Sequence, residues 1–148
     1  MKRALVFCLV LLSACDSLPR DPAGTSDRIA RTRTFTVAAV DPSVRAAPEV
    51  GALLQAIART TGARPAWREG TGETVLEALD QGKLDLAIGR FTKSSPWENQ
   101  IALAPPLATS RTDDAQLELR AAARNGENRW IMTVERASRT VPQRTGGR

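Results

Sequence analysis

The alternation of strand and helix patterns between residues 34 and 88 is the feature that most constrains the fold of this chain. Residues 34–40 (TFTVAAV) are apolar or β-branched on both faces, which is typical of a strand buried in a parallel sheet. The segments that follow in order are a helix, a strand, a helix and a strand, at residues 48–62, 63–67, 70–82 and 84–88. Such an order has right-handed crossovers and parallel strands. We predict a single three-layer α/β lobe with a mainly parallel sheet.

The helical segments are recognised by their apolar spacing. Residues 48–62 begin with Pro48, end at Gly62 and carry an apolar stripe on one helix face. The stripe consists of Val50, Leu53, Leu54, Ile57 and Ala58. Further along, residues 117–123 alternate as a half-exposed strand, and residues 127–137 return to helical spacing. The folded domain is predicted to span residues 34–138.

The ends of two predicted strands define the candidate binding edge. In open α/β sheets, ligands bind beyond the carboxyl ends of the strands. These ends are Asp41-Pro42-Ser43 after the first strand and Gly89-Arg90-Phe91-Thr92 after the third. We expect Asp41 and Gly89 to be neighbours on one edge of the sheet.

The amino terminus has the composition of an export signal. Lys2 and Arg3 precede an apolar stretch over residues 4–14 that is too short to span a membrane as a helix. The sequence Leu12-Ser13-Ala14-Cys15 resembles the lipobox of bacterial lipoproteins, which implies cleavage after residue 14 and lipid attachment at Cys15. Asp16 resembles the signal that keeps such proteins in the inner membrane. The alternative is an ordinary signal peptide with a chance cysteine.

Charge and composition predict a tether before the folded domain and a tail after it. Residues 15–33 are rich in Asp, Pro, Ser, Gly and Arg and are predicted to form a flexible tether, whereas residues 139–148 are predicted to be a disordered basic tail. The net charge of +5 resides in the leader, tether and tail, since residues 34–135 hold 11 basic and 13 acidic side chains. This distribution argues against nucleic-acid binding. The tail is either solvated or in loose contact with anionic lipid headgroups.

Missing residue types exclude several chemistries. The chain has no His and no Tyr, so it contains no Ser-His-Asp triad, His metal site or Tyr acid. The carboxylates do not pair at a spacing that indicates catalysis. We therefore predict no enzymatic activity, no cofactor and no metal.

A motif over residues 79–89 (LDQGKLDLAIG) is similar to the pattern L-x-x-G-K-x-D-x-x-x-G. It resembles the first lobe of the periplasmic solute-binding proteins of polar amino-acid ABC transporters, the extracellular family-3 type. The resemblance covers residues 34–107 and resumes over 120–136. It implies half of a clamshell, a polar amino-acid-like solute and a membrane transporter as partner. Residues 108–116 are all that occupies the place of the second lobe, so closure over a ligand is not expected.

The resemblance also indicates candidate ligand-binding residues. The family's turn after the third strand carries hydroxyls and an Arg that grips the ligand carboxylate. In this chain the hydroxyls fall on Thr92 and Ser94, and Trp97 stands where the Arg belongs. The candidate ligand-binding residues are Asp41, Gly89, Arg90, Thr92, Ser94 and Trp97, with Lys93 as a further substitute cation. Alternatively, Trp97 covers an edge of the core, the hydroxyls and Asp41 shape turns, and Arg90 is a surface charge.

Two functions are consistent with these features. The first is a lipid-anchored lipoprotein on the periplasmic face of a bacterial membrane, an accessory or degenerate solute-binding component of a transport system that binds a small polar solute weakly or not at all. The second is an interaction lipoprotein that binds no solute and docks a membrane partner through its exposed lobe face. A polar, concave strand-end surface favours the first, and a flat, apolar one favours the second.

Overall fold

A computed structural model describes residues 19–142 and 144–145 of the chain. Its helices are α1 (Thr25–Thr32), α2 (Pro48–Thr61), α3 (Glu73–Asp80) and α4 (Asn128–Thr140). Its strands are β1 (Thr34–Ala39), β2 (Arg64–Trp67), β3 (Leu86–Thr92), β4 (Ile101–Leu103), β5 (Ala108–Arg111), β6 (Gln116–Arg124) and β7 (Arg144–Thr145). The strands form one sheet in the order β2-β1-β3-β6-β5-β7, and β4 pairs with β6.

The sheet separates two apolar cores and so creates three layers. Alternate residues of β1 point to opposite sides: Val37 and Ala39 join the core under α1, α2 and α4, whereas Ala38 joins the core under α3. β2 and β3 both run parallel to β1, as the order of elements predicts. The α/β prediction is therefore confirmed, with β6 antiparallel to its neighbours β3, β4 and β5.

β3 differs from its predicted bounds of residues 84–88. It begins at Leu86, directly after the buried Asp85. It continues to Thr92 because β6 pairs with residues 87–92, with Thr92 opposite Leu117. Gly89, Arg90 and Thr92 consequently lie within the strand, not in the turn predicted after it. The antiparallel partner that extends the strand lies far along the sequence, where local patterns cannot indicate it.

β6 is a central strand, not the half-exposed one predicted. Leu119, Ala121 and Ala123 lie in the core under α2 and α4, and Ala122 lies in the core under α3. Its charged side chains are also largely covered, since Glu118 is 5% exposed. Alternating polar residues in this strand therefore reflect a buried ion pair rather than a solvated face.

The segment 108–116, predicted to replace a second lobe, forms a tight β5–β6 hairpin. At its tip the Thr112 backbone N–H donates to the Ala115 carbonyl at 2.9 Å, and the Thr112 Oγ1 hydroxyl bonds the same carbonyl at 3.0 Å. Ala115 N–H in turn donates to Thr112 Oγ1 at 3.2 Å. The chain thus turns directly back into the sheet at this point.

The prediction of a flexible tether over residues 15–33 is wrong for the part of that segment that the structure describes. Residues 25–32 form α1, and Ile29 on this helix is only 1% exposed within the core shared with α2 and α4. The helix carries one buried apolar residue in eight, which is too few to give an apolar period in the sequence. Its position depends instead on polar contacts with the distant helix α4.

The acidic residue that precedes α4 caps α1, and the acidic residue that precedes α1 caps α4. Glu127 accepts from the backbone N–H groups of Ala23 and Thr25 at 2.8 and 3.0 Å, at the start of α1. Asp21 accepts from the N–H groups of Arg129 and Trp130 at 2.7 and 3.1 Å, at the start of α4. These carboxylates satisfy donors that a helix amino terminus leaves free. The amino-terminal segment is thereby fixed to the domain.

The capping contacts lower the pKa of Asp21. Partial burial by itself raises its pKa, but hydrogen bonds from Ser26, Trp130 and Arg129 outweigh the burial and lower the pKa below the ordinary value of 3.8. The stabilisation that Asp21 provides is thus fully present above the ordinary value and is lost as the pH falls through the lowered pKa.

The carboxyl-terminal segment is also more ordered than the predicted tail of residues 139–148. α4 continues to Thr140, Val141 is 5% exposed in the core, and β7 pairs with β5. Residues 143 and 146–148 lie outside the described residues. So do residues 1–18, which contain the predicted signal peptide and Cys15. Across the described part of the chain, no helix is both long and apolar enough to cross a membrane.

Candidate functional site

The carboxyl ends of β1 and β3 lie side by side, as the order of elements predicts. Val40 N–H donates to the Ile88 carbonyl at 2.8 Å, which continues the parallel pairing to the strand end. A Cβ atom on Gly89 would lie 2.8 Å from Val40 Cβ. Gly89 is therefore required for the close approach of the two strands, a role in packing that needs no ligand.

A polar cluster covers this strand end. Asp41 Oδ1 accepts from Ser43 N–H at 2.9 Å, and Asp41 Oδ2 accepts from Ser43 Oγ at 2.7 Å. Arg90 extends from β3 and places Nη1 at 3.2 Å from Ser43 Oγ and 3.5 Å from Asp41 Oδ2. The predicted candidates Asp41 and Arg90 are thus brought together, and Ser43 links them. We name Asp41, Ser43 and Arg90 the strand-end cluster.

The local sequence explains the shape of the strand-end cluster. Asp41 precedes a short 3-10 helix at Pro42–Ala46 and caps its first turn through Ser43. The hydrogen bonds from the Ser43 side chain and backbone, together with the charge of Arg90, lower the pKa of Asp41 below 3.8. Asp41 is consequently a carboxylate at neutral pH. The cluster presents one anion, 52% exposed, and one cation, 38% exposed.

Three residues that sequence analysis did not select lie along the same edge. Arg45 is in the 3-10 helix, and its guanidinium carbon lies 4.5 Å from the ring centroid of Trp67, the last residue of β2. Arg45 Nη1 also lies 3.7 Å from Glu69 Oε1. Because β2 is parallel to β1, its end reaches the same edge of the sheet, so the strand-end argument applied to β2 identifies Trp67.

The remaining predicted candidates are placed differently. Thr92 is the exposed last residue of β3, and Ser94 is exposed in the turn that follows. Trp97 lies in a second 3-10 helix, Pro96–Asn99, and packs against the core under α3. This is the core-edge position given above as the alternative for Trp97.

The ion pair between Glu118 and Arg120 on β6 has a structural role. Arg120 donates from Nε to Glu118 Oε2 at 2.8 Å and from Nη1 to the Ala104 carbonyl at 2.9 Å. Gln116 Nε2 donates to the other Glu118 oxygen at 3.3 Å. With its hydrogen-bonding atoms occupied, the pair braces β6 against the segment that joins β4 to β5.

Three cavities of the described chain do not include residues of the strand-end cluster. Their volumes are about 60, 270 and 530 Å³; the first is lined by the amino-terminal segment, α1, the α3–β3 loop, β6 and α4, and the other two by α2, α4 and the amino-terminal segment. Among the described residues there is also no group of three or more His, Cys, Asp and Glu side chains arranged to hold a metal ion. The strand-end cluster itself is polar, and its Asp41 and Arg90 side chains are exposed.

Comparison with solved structures identifies the architecture. The chain superimposes on the arginine-bound form of domain 1 from TmArgBP, the ArgBP of T. maritima, with a TM-score of 0.62 and 18% identity, over 76% of this chain and 97% of that one. The fold is that of one lobe of a periplasmic-binding-protein clamshell. No protein-family model and no curated protein matches the sequence.

Two further structures give the same result from other organisms. AbpA, an amino acid ABC transporter substrate-binding protein from Streptococcus pneumoniae bound to L-arginine, matches with a TM-score of 0.61 and 10% identity over 76% of this chain and 90% of that one. The VFT2 domain of Bordetella pertussis BvgS matches with a TM-score of 0.62 and 11% identity over 84% and 95% of the two chains. At these identities the likeness concerns the fold.

Proposed function

We propose that this protein is a periplasmic, lipid-anchored solute-binding-type lobe that serves as an accessory component of a transport system for amino-acid-like solutes. The observation that carries the proposal is the strand-end cluster on a one-lobe binding-protein fold. Asp41 and Arg90 offer opposite charges, matched to the ammonium and carboxylate groups of a free amino acid. Their position corresponds to the edge where open α/β sheets bind ligands.

A single lobe is compatible with such binding. The structure of domain 1 from TmArgBP is described as an arginine-bound form, which supports the idea that one lobe holds an amino acid. In the present chain the strand-end cluster is open to water, and Arg90 already shares its charge with Asp41. Both features weaken a charged contact, because solvent screens it and an existing partner must be displaced.

Calorimetric titration with L-arginine and a panel of other polar amino acids tests the solute-binding role. We expect a dissociation constant no tighter than about 1 mM. Arg90→Gln is expected to weaken any measured binding about tenfold or more, because a charge-assisted hydrogen bond is lost. Arg64→Gln is the matched control, since Arg64 lies at the opposite end of β2 and is exposed.

Three outcomes would count against this assignment. A micromolar affinity would contradict the weak, open site, and unchanged binding by Arg90→Gln would place the site elsewhere. A complete lack of binding across the panel would favour the alternative, in which the lobe docks a membrane partner. The pairing of Arg90 with Asp41, which leaves little free charge for a solute, is the observation that favours that alternative.

Lipid attachment at Cys15 is the second part of the proposal, and it is supported by the sequence Leu12-Ser13-Ala14-Cys15. Growth with a palmitate analogue is expected to label the full-length protein and to leave Cys15→Ala unlabelled. Cys8→Ala is the matched control and should retain the label, because Cys8 lies within the predicted leader. Label that persists in Cys15→Ala would contradict the lipoprotein assignment.

The proposed role is binding rather than catalysis. The chain has no histidine or tyrosine, and the strand-end carboxylate Asp41 is held ionised by Ser43 and Arg90, which does not favour a general acid. One structural neighbour is an ancestral amino-acid-binding protein described as a precursor of cyclohexadienyl dehydratase. Its description concerns a binding protein, in agreement with the role proposed here.

A further inference from the structure

The sheet separates side chains of opposite charge. On one side, α1, α2 and α4 together carry six arginines and three acidic residues. On the other side, α3 carries three acidic residues, Glu73, Glu77 and Asp80, and no basic one. The near-neutral charge of the folded domain therefore conceals a basic helical layer and an acidic helical layer.

A groove runs along the basic layer. A cavity of about 530 Å³ is lined by Pro19, Arg20, Arg129, Met132, Thr133 and Arg136. A second cavity of about 270 Å³, between α2 and α4, shares Thr133 and Arg136 with the first and adds Arg59. The residues that line the two cavities include no Asp or Glu. We call this continuous surface the basic groove.

Arg59 and Arg136 are the most available charges of the basic groove. Within the described part of the chain, neither forms an ion pair, whereas Arg129 donates to Asp27 at 2.8 Å. Arginine holds phosphate oxygens through two parallel N–H donors. Met132 and Pro19 provide apolar surface beside these cations. The combination is suited to a ligand with an anionic phosphate next to hydrocarbon.

The basic groove also begins next to the predicted anchor. Pro19 lines the groove and follows Cys15 by four residues. Four residues extend over at most about 14 Å, so a lipidated Cys15 holds the groove close to the bilayer surface. The closeness of the groove to the bilayer rests on the proposed lipid attachment, whereas the charge and shape of the groove do not depend on it.

We propose that the basic groove docks against anionic phospholipid headgroups, so that the domain lies on the membrane through its α2–α4 face. Docking places α3, with its acidic side chains, on the side of the sheet that faces away from the bilayer. The acyl chains at Cys15 anchor the protein, and the arginines of the groove add an electrostatic attraction to anionic lipids that orients the domain on the bilayer. Each arginine near an anionic surface strengthens the partition into the membrane about fivefold.

Vesicle sedimentation tests the proposal with a chain that begins at Asp16, contains every described residue and lacks the acylated cysteine. We expect it to bind vesicles of phosphatidylglycerol and phosphatidylcholine at low ionic strength, and not vesicles of phosphatidylcholine alone. Arg59→Gln/Arg136→Gln is expected to weaken binding about 25-fold. Arg64→Gln/Arg68→Gln removes the same charge from the exposed β2 edge and is expected to change binding less than twofold.

The variants also define the results that would overturn the proposal. An equal loss in both double variants would show a general charge effect, and binding to neutral vesicles would remove the role of the arginines. Failure to bind anionic vesicles at all would overturn it directly. If single-stranded DNA binds more tightly than the vesicles and with the same loss in Arg59→Gln/Arg136→Gln, the groove serves nucleic acid instead. Thermal unfolding of each variant verifies that the substitutions leave the fold intact, and labelling at Cys15 tests the anchor separately.

Discussion

A chain shortened to begin at Arg33 is expected to lose about 5 kcal/mol of its free energy of unfolding. Ile29, which is 1% exposed, contributes about 2 kcal/mol of apolar burial, and the Asp21 cap of α4 contributes about 1 kcal/mol. Removal of Arg28 leaves the buried Asp85 carboxylate without its cation, at a cost of about 2 kcal/mol. Since domains are stable by about 5 to 15 kcal/mol, the shortened chain should retain at most about 10 kcal/mol and should unfold at a much lower urea concentration.

Urea denaturation of the shortened chain provides the measurement. A chain that begins at Pro19 is the control and should unfold at the same urea concentration as a chain that begins at Asp16. Ile29→Ala in the longer chain should lose about 2 to 4 kcal/mol, which isolates the packing contribution. If the chain from Arg33 unfolds at the same urea concentration as the longer chains, residues 19–32 are the flexible tether that composition predicts.

Asp85→Ala is expected to destabilise the lobe by about 3 kcal/mol, because Asp85 joins α1, β1 and β3. Its Oδ2 atom accepts from Thr36 N–H and from Thr36 Oγ1, both at 2.8 Å, and its Oδ1 atom pairs with Arg28. The residue is 5% exposed. Removing the carboxylate leaves buried donors without an acceptor, which costs more than the net value of the bonds themselves.

Thermal unfolding measures this effect as a fall in melting temperature of roughly 10 °C. Asp80→Ala is the matched control, since Asp80 is the exposed last residue of α3, and its melting temperature should change by less than about 2 °C. Equal shifts in the two variants would show that the Asp85 contacts do not stabilise the fold. Asp85→Asn should fall between the wild type and Asp85→Ala, because the amide retains one acceptor oxygen.

The parallel half of the fold follows from local sequence patterns. β1, β2, α2 and α3 are specified by short apolar periods, by Gly62 and by the Pro48 helix start, all of which act within a few residues. β6 and the carboxyl-terminal half of β3 were harder to place, because their burial depends on each other across the sheet. α1 has no recognisable sequence pattern for a related reason, since Asp21 and Glu127 fix it in place and it has no apolar stripe.

The candidate site was predictable to the same extent as the strands that carry it. Asp41 and Arg90 follow from the rule that ligands bind at strand ends, and the structure places their side chains together. Ser43 joins them through a side-chain hydrogen bond from Arg90 that the sequence does not encode as a pattern. Trp67 follows from the same rule applied to β2, and its contact with Arg45 is visible only in the structure. The sequence does not reveal the separation of charge between the helical layers either. A sum of charges along the chain mixes residues that lie on opposite sides of the sheet.

The reciprocal caps of α1 and α4 impose an order on the folding of the protein. Each capping carboxylate lies more than a hundred residues from the N–H groups that donate hydrogen bonds to it. Contacts between such distant residues form late in folding, because long loops must close first. During synthesis the amino-terminal segment emerges first, yet its partners at the start of α4 are among the last described residues to follow. The amino-terminal segment of the domain is therefore fixed to α4 only after nearly all of the described chain has been made.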